Sequence, residues 1–178
     1  MNILENDILR LRAPEPTDLD LMYIWENDPS IWLAGTTLVP FSRYVLKRYL
    51  DSVLLDIFES KQIKLIIDIK KENINLPVGA IDIFDFDPHN RRAGIGILIA
   101  TSTERRKGYA SEALKLTINY VFKILSLHQL YCDIEADNEA SLQLFQKLNF
   151  TIIGLKKEWI LRGHEWKDEY QLQLINAH

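Results

Sequence analysis

Ile8-Leu9-Arg10-Leu11-Arg12 alternates apolar and polar side chains with the two-residue period of a strand, and Ala13-Pro14-Glu15-Pro16 stops it. The period then lengthens. Leu19, Met22 and Trp25 recur at helical spacing behind Thr17 or Asp18 as the capping residue, and Asn27-Asp28-Pro29 ends that helix. A second helix is predicted after Pro40-Phe41-Ser42, because Leu46, Tyr49, Leu50, Val53, Leu54 and Ile57 fall on one face and mark it as buried.

From Gln62 the texture changes to short β-rich runs over 63–69, 78–86 and 95–100. The polar stretch 70–75 separates the first two, so the three read as an antiparallel meander. A strong helix is predicted over 107–125, with Ala110, Ala113, Leu114, Thr117, Ile118, Val121, Phe122 and Leu125 on one side. A strand over 130–136 follows, then a helix over 138–148 with Leu144, Phe145 and Leu148 inward. Strands over 150–160 and 167–175 flank the turn Leu161-Arg162-Gly163-His164. The strand 95–100, the helix from Lys107 and the strand from Leu130 make a βαβ crossover, so those two strands run parallel while the meander stays antiparallel. The expected fold is of the α/β (α+β) class: one domain over 1–178, a mixed and mostly antiparallel sheet, a central parallel crossover, and helices on both faces.

Composition narrows the chemistry. At 178 residues and 47% hydrophobic, a single domain buries about two-thirds of its unfolded surface. The lone Cys132 excludes an intrachain disulfide, and His89, His128, His164 and His178 lack ligand spacing, so no metal site is expected. No apolar run reaches the roughly 18 to 20 residues that span a bilayer, and Met1 to Asp7 has no basic flank, so a cytoplasmic protein without a membrane partner is expected. With 21 basic against 25 acidic residues, the net charge of -4 argues against a nucleic-acid partner and favours a cationic or small-molecule one.

The most informative stretch runs from Ile95-Gly96-Ile97-Leu98-Ile99-Ala100 into Arg105-Arg106-Lys107-Gly108-Tyr109-Ala110-Ser111, a strand entering a helix. Small residues at Gly108, Ala110 and Ser111 let several backbone N-H groups approach an anion at the positive end of the helix dipole, which suits a pyrophosphate. Neither the P-loop nor the dinucleotide glycine fingerprint is present. A solvated charge run leading into an ordinary helix is the bland alternative.

The segment Asp137-Asn138-Glu139-Ala140-Ser141-Leu142-Gln143-Leu144-Phe145-Gln146-Lys147-Leu148-Asn149-Phe150 shifts that balance. Together the two segments resemble the GNAT superfamily of N-acetyltransferases, whose pattern is Arg/Gln-x-x-Gly-x-Gly/Ala, a strand, then Asn-x-x-Ala/Ser-x-x-Leu-Tyr/Phe-x-Lys-x-Gly-Phe. Leu9-Arg10-Leu11-Arg12, Trp25-Glu26-Asn27-Asp28 and the stretch from Gly154 through Gly163 to Asp168 look like the branch that holds ribosomal-protein alanine and spermidine/diamine acetyltransferases.

The resemblance implies an N-acetyltransferase that uses acetyl-coenzyme A as co-substrate and a small-molecule or peptide amine as acceptor: a polyamine, an amino sugar or a protein N-terminus. It implies that backbone amides of Arg105, Arg106, Lys107, Gly108, Tyr109 and Ala110 hold the pyrophosphate. The edge of Ile97-Leu98-Ile99 would pair with the pantetheine arm, with an amide, assigned to Leu98, polarising the thioester carbonyl. Asn138 would bond the pantetheine, Ser141 would lie near the sulfur and assist the leaving thiolate, and Phe145 would stand beside it. Relatives also suggest a homodimer.

Two positions depart from the pattern. Phe145 stands where many relatives place a tyrosine acid, and Gly94 follows Arg92-Ala93 where many carry glutamate. A thiol near pKa 8.5 leaves at neutral pH for about 2 kcal/mol, so the acid is dispensable, whereas deprotonating an alkylamine costs roughly 4 to 5 kcal/mol. Asp133 and Glu135 on one strand and Asp82 on another are the carboxylates available. The resemblance implies an acceptor side built from 25–40 and 159–167, with Trp32, Trp159 and Trp166 as pocket or core residues and Asp82, Asp85 and Asp87 as an acidic run. The loop Ile31-Trp32-Leu33-Ala34-Gly35-Thr36-Thr37 lacks the paired acidic residues usual in spermidine enzymes. Cys132, flanked by Leu130 and Ile134 on its face, reads as a buried inert thiol, which favours direct attack in a ternary complex. The rivals are a non-catalytic acyl-coenzyme A binding module and a ribosome-associated protein using Arg91-Arg92 and Arg105-Arg106-Lys107.

Overall fold

The computed structural model describes residues 3–32, 39–52, 57–72 and 74–176. Seven strands, β1 (Leu9–Arg12), β2 (Ile63–Lys71), β3 (Ile74–Asp87), β4 (Arg92–Ile99), β5 (Gln129–Glu135), β6 (Thr151–Arg162) and β7 (Glu165–Ile175), form one sheet. Their order is β1-β2-β3-β4-β5-β7-β6, with every neighbour antiparallel except β4 and β5. The helices are α1 (Leu19–Glu26), α2 (Pro29–Trp32), α3 (Arg43–Ser52), α4 (Ile57–Ser60), α5 (Tyr109–Lys123) and α6 (Glu139–Lys147).

The strand alternation sorts the sheet into two faces. Leu65, Ile67, Ile81, Ile83, Ala93, Ile95, Leu130, Cys132 and Leu172 share a core with Ala113, Leu114 and Val121 of α5 and Phe145 of α6. On the other face Ile66, Ala80 and Leu98 pack with Trp25 of α1. Helix α1 in turn rests on α3 through Met22, Leu46 and Leu50. Each of the fully buried Ile and Leu side chains contributes about 1.5 to 3 kcal/mol. Beyond β4 the second face is open: Gln129, Tyr131, Asp133, Gln171 and Gln173 line a shallow depression of about 700 Å³ together with Phe84, Asp85, Asp87, Arg92 and Ile153. Among the described residues no helix is long and apolar enough to cross a membrane.

Among the described residues Asp18, Asp68 and Glu104 are buried charged groups, and the first two share one network through Arg12 of β1. Asp68 on β2 is 1% exposed, and its Oδ2 accepts from Arg10 Nε (3.0 Å), Arg10 Nη2 (2.9 Å) and Arg12 Nε (2.8 Å) of β1. Arg12 also donates to both oxygens of Asp18, at 2.6 and 2.9 Å. Asp18 ends a 3-10 turn (Pro16–Asp18), and its Oδ2 accepts the Glu15 N-H at 2.7 Å. So neither Thr17 nor Asp18 caps α1 through its side chain as the sequence suggested; the aspartate is spent on the turn before it.

The predicted elements are all present, with instructive shifts. Of the stripe from Leu46 to Ile57, Leu46, Tyr49 and Leu50 lie on α3, Ile57 opens α4, and Val53 and Leu54 fall outside the described residues. Strand β3 begins at Ile74 because Lys71 pairs with Ile74 across a short hairpin, and a register shift at Ile67/Asp68 puts Pro77 opposite Asp68, where a missing N-H is tolerated. Strand β4 begins at Arg92, earlier than the predicted start at residue 95, because Arg92 and Gly94 pair back with Asp87 and Phe84.

Candidate functional site

Strands β4 and β5 pair over only three positions, Arg92 with Gln129, Ala93 with Leu130 and Gly94 with Tyr131, and then part. The gap is a wedge of about 270 Å³ lined by Ile95, Gly96 and Ile97 on one side and by Cys132, Asp133, Ile134 and Glu135 on the other. Asn138, Ser141 and Phe145 of α6 close it on one face, and Ile160, Arg162 and Glu169 lie at its far wall.

Ladder phase decides which backbone groups face that gap. Ala100 donates to the Val78 carbonyl, and the register with β3 is unbroken from there through Leu98↔Ala80 and Gly96↔Asp82 to Gly94↔Phe84. In an antiparallel pair, opposed residues alternate between exchanging both bonds and exchanging none. Gly94, Gly96 and Leu98 therefore bond β3, and Ile95, Ile97 and Ile99 turn their N-H and C=O the other way. On β5, Ala136 donates to Asp168 and Asn176 donates to the His128 carbonyl, so by the same alternation Asp133 and Glu135 turn their backbone toward β4. The wedge is thus a slot between two unpaired strand edges, the arrangement into which an extended amide-bearing chain adds as a strand. This corrects the expected donor. The Leu98 amide is held by β3, its carbonyl lying only 2.0 Å from where a Cβ on Gly79 would sit, and Ile97, which lines the wedge, presents the available amide.

At the end of β4 the basic loop takes a particular form. Arg106 and Gly108 both have positive φ, 62° and 88°. The first helical bond of α5 is from the Glu112 N-H to the Gly108 carbonyl, so the amides of Tyr109, Ala110 and Ser111 have no partner within the helix. The basic side chains are largely occupied. Arg105 donates from Nε to the Ile99 carbonyl (2.8 Å) and from Nη2 to the Ala100 carbonyl (3.3 Å), stapling the loop to the strand end. Lys107 donates to Glu104 at 2.9 Å, and that bond holds the buried Glu104 carboxyl below its ordinary range. Glu104 is a residue that sequence reasoning missed, since nothing in its spacing marks a buried carboxylate.

Asn138 is the N-cap of α6, its Oδ1 accepting the Ser141 N-H at 3.1 Å. This cap uses the side-chain oxygen and leaves the Nδ2 protons for the slot. Phe145 is buried against Phe150 in an edge-on pair at 5.0 Å while still forming part of the wall. Burial, with a contribution from Asp133, pushes the Cys132 thiol up to about 12, so it stays protonated.

The side of the wedge away from α6 carries carboxylates and cations in pairs. Lys156 Nζ binds Asp133 Oδ1 at 2.8 Å and Glu169 Oε2 at 3.0 Å, and Arg162 binds Glu135. Burial would lower Lys156, but the bonds from these two carboxylates hold it above its ordinary value. Asp82 lies outside the wedge lining, one oxygen taken by Gln62 (3.1 Å) and the other by Lys64 (2.9 Å). Asp85 accepts from the Tyr131 hydroxyl at 3.1 Å, and Asp87 binds Asn90 and Arg92, so the acidic run is part of β3 rather than a solvated loop. Trp159 and Trp166 are 61% and 58% exposed, neither core nor pocket, whereas the Trp32 indole donates to the Glu26 carbonyl. Leu33, Ala34, Gly35, Thr36 and Thr37 of the acceptor loop lie outside the described residues.

Comparison with known proteins agrees with this anatomy. An acetyltransferase (GNAT) domain model matches residues 9–151. A spermidine N(1)-acetyltransferase of Escherichia coli is 25% identical over 159 residues, 87% of this chain and 80% of the relative. An uncharacterized N-acetyltransferase, p20, of Bacillus licheniformis is 28% identical over 98% of this chain and 97% of its own. Among solved structures, the spermidine N-acetyltransferase of Vibrio cholerae in complex with CoA and spermine superposes with a TM-score of 0.85 at 20% identity, covering 96% of both chains. With the family match spanning both the parted strands and the helix turn beside them, the chain belongs to the GNAT acetyltransferase family and is an N-acetyltransferase.

Proposed function

We propose that the chain transfers the acetyl group of acetyl-coenzyme A to a primary amine of a polyamine, by direct attack in a ternary complex. The observation that carries this reading is the pair of unpaired strand edges in the wedge, lying next to the free amides at the start of α5. Amides of the turn from Arg105 to Ala110 receive the pyrophosphate, with those of Tyr109 and Ala110 aligned by the helix. Because the Arg105 and Lys107 side chains are bound within the protein, backbone rather than side chains does most of this work. The Ile97 and Ile99 edge pairs with the pantetheine arm, Asn138 donates from Nδ2, and the Ile97 amide polarises the thioester carbonyl, an interaction worth about 10²- to 10³-fold in rate. Ser141 lies beside the leaving sulfur, whose departure as thiolate costs about 2 kcal/mol at neutral pH. The protonated Cys132 supports transfer without an acyl-cysteine.

The polyamine assignment is supported by the spermidine enzymes among the relatives and by the local surplus of carboxylate: Asp133, Glu135 and Glu169 against Lys156 and Arg162. Coenzyme A release measured with spermidine, spermine, amino sugars and N-terminal peptides tests it. Turnover is expected to be fastest with a polyamine; acetyl-coenzyme A binding without turnover on any amine would instead mark a binding module.

A further inference from the structure

The position where the resemblance places a glutamate is filled here by a different side chain. A Cβ on Gly94 would lie 2.3 Å from Cε2 of Phe84, whose ring covers that residue. One pleat further along β4, on the same face, Gly96 again carries no side chain, and the nearest Phe84 atom is 3.8 Å from its would-be Cβ. Continuing the Gly94↔Tyr131 register by one pleat puts Asp133 across from Gly96, at the point where the strands have parted. Gly96 and Asp133 both line the wedge, next to Ile97. Asp133 also lines the open depression, so it stands where the wedge meets the uncovered face. Of the other carboxylates on this face, Asp82 has both oxygens engaged and Glu135 is held by Arg162. Asp133 shares the single charge of Lys156 with Glu169, so that triad keeps one negative charge in excess.

We propose that Asp133 is the catalytic carboxylate that receives the acceptor's ammonium group and takes its proton. This rests on the functional reading above. The ammonium gives one proton to Asp133, directly or through one water, and the freed amine nitrogen attacks the thioester carbon. The C-S bond breaks with its electron pair on sulfur, the second nitrogen proton passes to the thiolate, and Asp133 returns its proton to solvent. The charged and titratable groups around Asp133 are Lys156 of β6, Glu169 of β7, Tyr131 and Glu135 of its own strand, Arg162 and, across Gly96, Asp82.

The test is Asp133→Asn, at a side chain 30% exposed where an isosteric change is compatible with folding, with Asp133→Glu as the charge-preserving control. Wild type is first shown to acetylate an amine; failure there overturns the functional reading and this proposal with it. Given turnover, Asp133→Asn is expected to lower kcat/KM by about 10²-fold at neutral pH, the effect expected of a general base. The loss should shrink as pH rises and the free amine becomes abundant, with coenzyme A affinity unchanged and Asp133→Glu keeping the wild-type profile. A loss below threefold, or one uniform across pH, or one matched by a fall in coenzyme affinity, would overturn the assignment to Asp133 alone.

Discussion

Phe84 lies over Gly94, and Tyr131 meets the edge of the Phe84 ring at a centroid distance of 6.2 Å and 84°. The aromatic pair plugs the apex of the wedge at its last paired position. Gly94→Ala is expected to cost about 1 to 3 kcal/mol by overpacking, because the ring has to move. Phe84→Ala in the same chain should relieve most of that cost, so thermal unfolding of the four proteins in the cycle should give a coupling energy that is clearly non-zero.

Asp68 is the point where removing one charge does most harm. Asp68→Asn leaves the Arg10 and Arg12 guanidinium groups facing a neutral buried partner, and the expected loss is about 3 to 5 kcal/mol. Urea unfolding of the purified variant measures it, and a change below 1 kcal/mol, the level of an exposed pair, would mean the network is not load-carrying in this way.

Acid stability should depend on Arg12. Burial alone would raise the Asp18 carboxyl, but hydrogen bonds from Arg12 and from the Glu15 amide outweigh it and hold the group below its ordinary value. A folded-state value below the unfolded one contributes stability that is complete above the unfolded pKa, about 3.9, and is lost as pH falls through the folded one. Arg12→Ala removes that depression, so the acid-unfolding midpoint followed by circular dichroism is expected to move to higher pH.

Gly108 is required for its conformation rather than for space, since φ is 88° and no atom lies within 4 Å of a would-be Cβ. An L-residue held there costs about 1 to 2 kcal/mol. Gly108→Ala is expected either to pay that in stability or to turn the Tyr109 and Ala110 amides away; titration calorimetry should then show coenzyme A affinity weakened severalfold with kcat nearly unchanged at saturation.

Cys132 gives a cleaner expectation. With its thiol buried and pushed up to about 12, Cys132→Ala should keep turnover within a few-fold of wild type, and alkylating reagents at neutral pH should leave the native protein unlabelled, as read by intact mass.

The order of elements and the helix-turn motif were legible because each rests on local periodicity or on a short residue pattern. Ladder phase was not. Ile97, Leu98 and Ile99 are alike as residue types, and which of their amides faces the wedge depends on a bond made by Ala100 to a strand about twenty residues earlier in the chain. The beginning of β4 was hidden for a related reason: Arg92 and Gly94 carry no strand preference, and pairing with Asp87, Phe84 and β5 puts them there. Phe84 is invisible as a plug until the meander lays it on Gly94. Conversely, Trp159 and Trp166 look like core or pocket from composition, yet they sit on the outward side of the β6–β7 hairpin.

Mechanically, the sheet consists of two leaves on a short hinge. One leaf is β1 to β4, the other β5, β7 and β6, and only the pairs Arg92–Gln129, Ala93–Leu130 and Gly94–Tyr131 join them within the sheet. On the proposed function, a co-substrate bonded to Ile97 and Ile99 would latch the two leaves together beyond that hinge. Amide hydrogen exchange at Ile97 and Ile99 should slow when coenzyme A is added while that of Leu98, locked to β3 in both states, stays as it was.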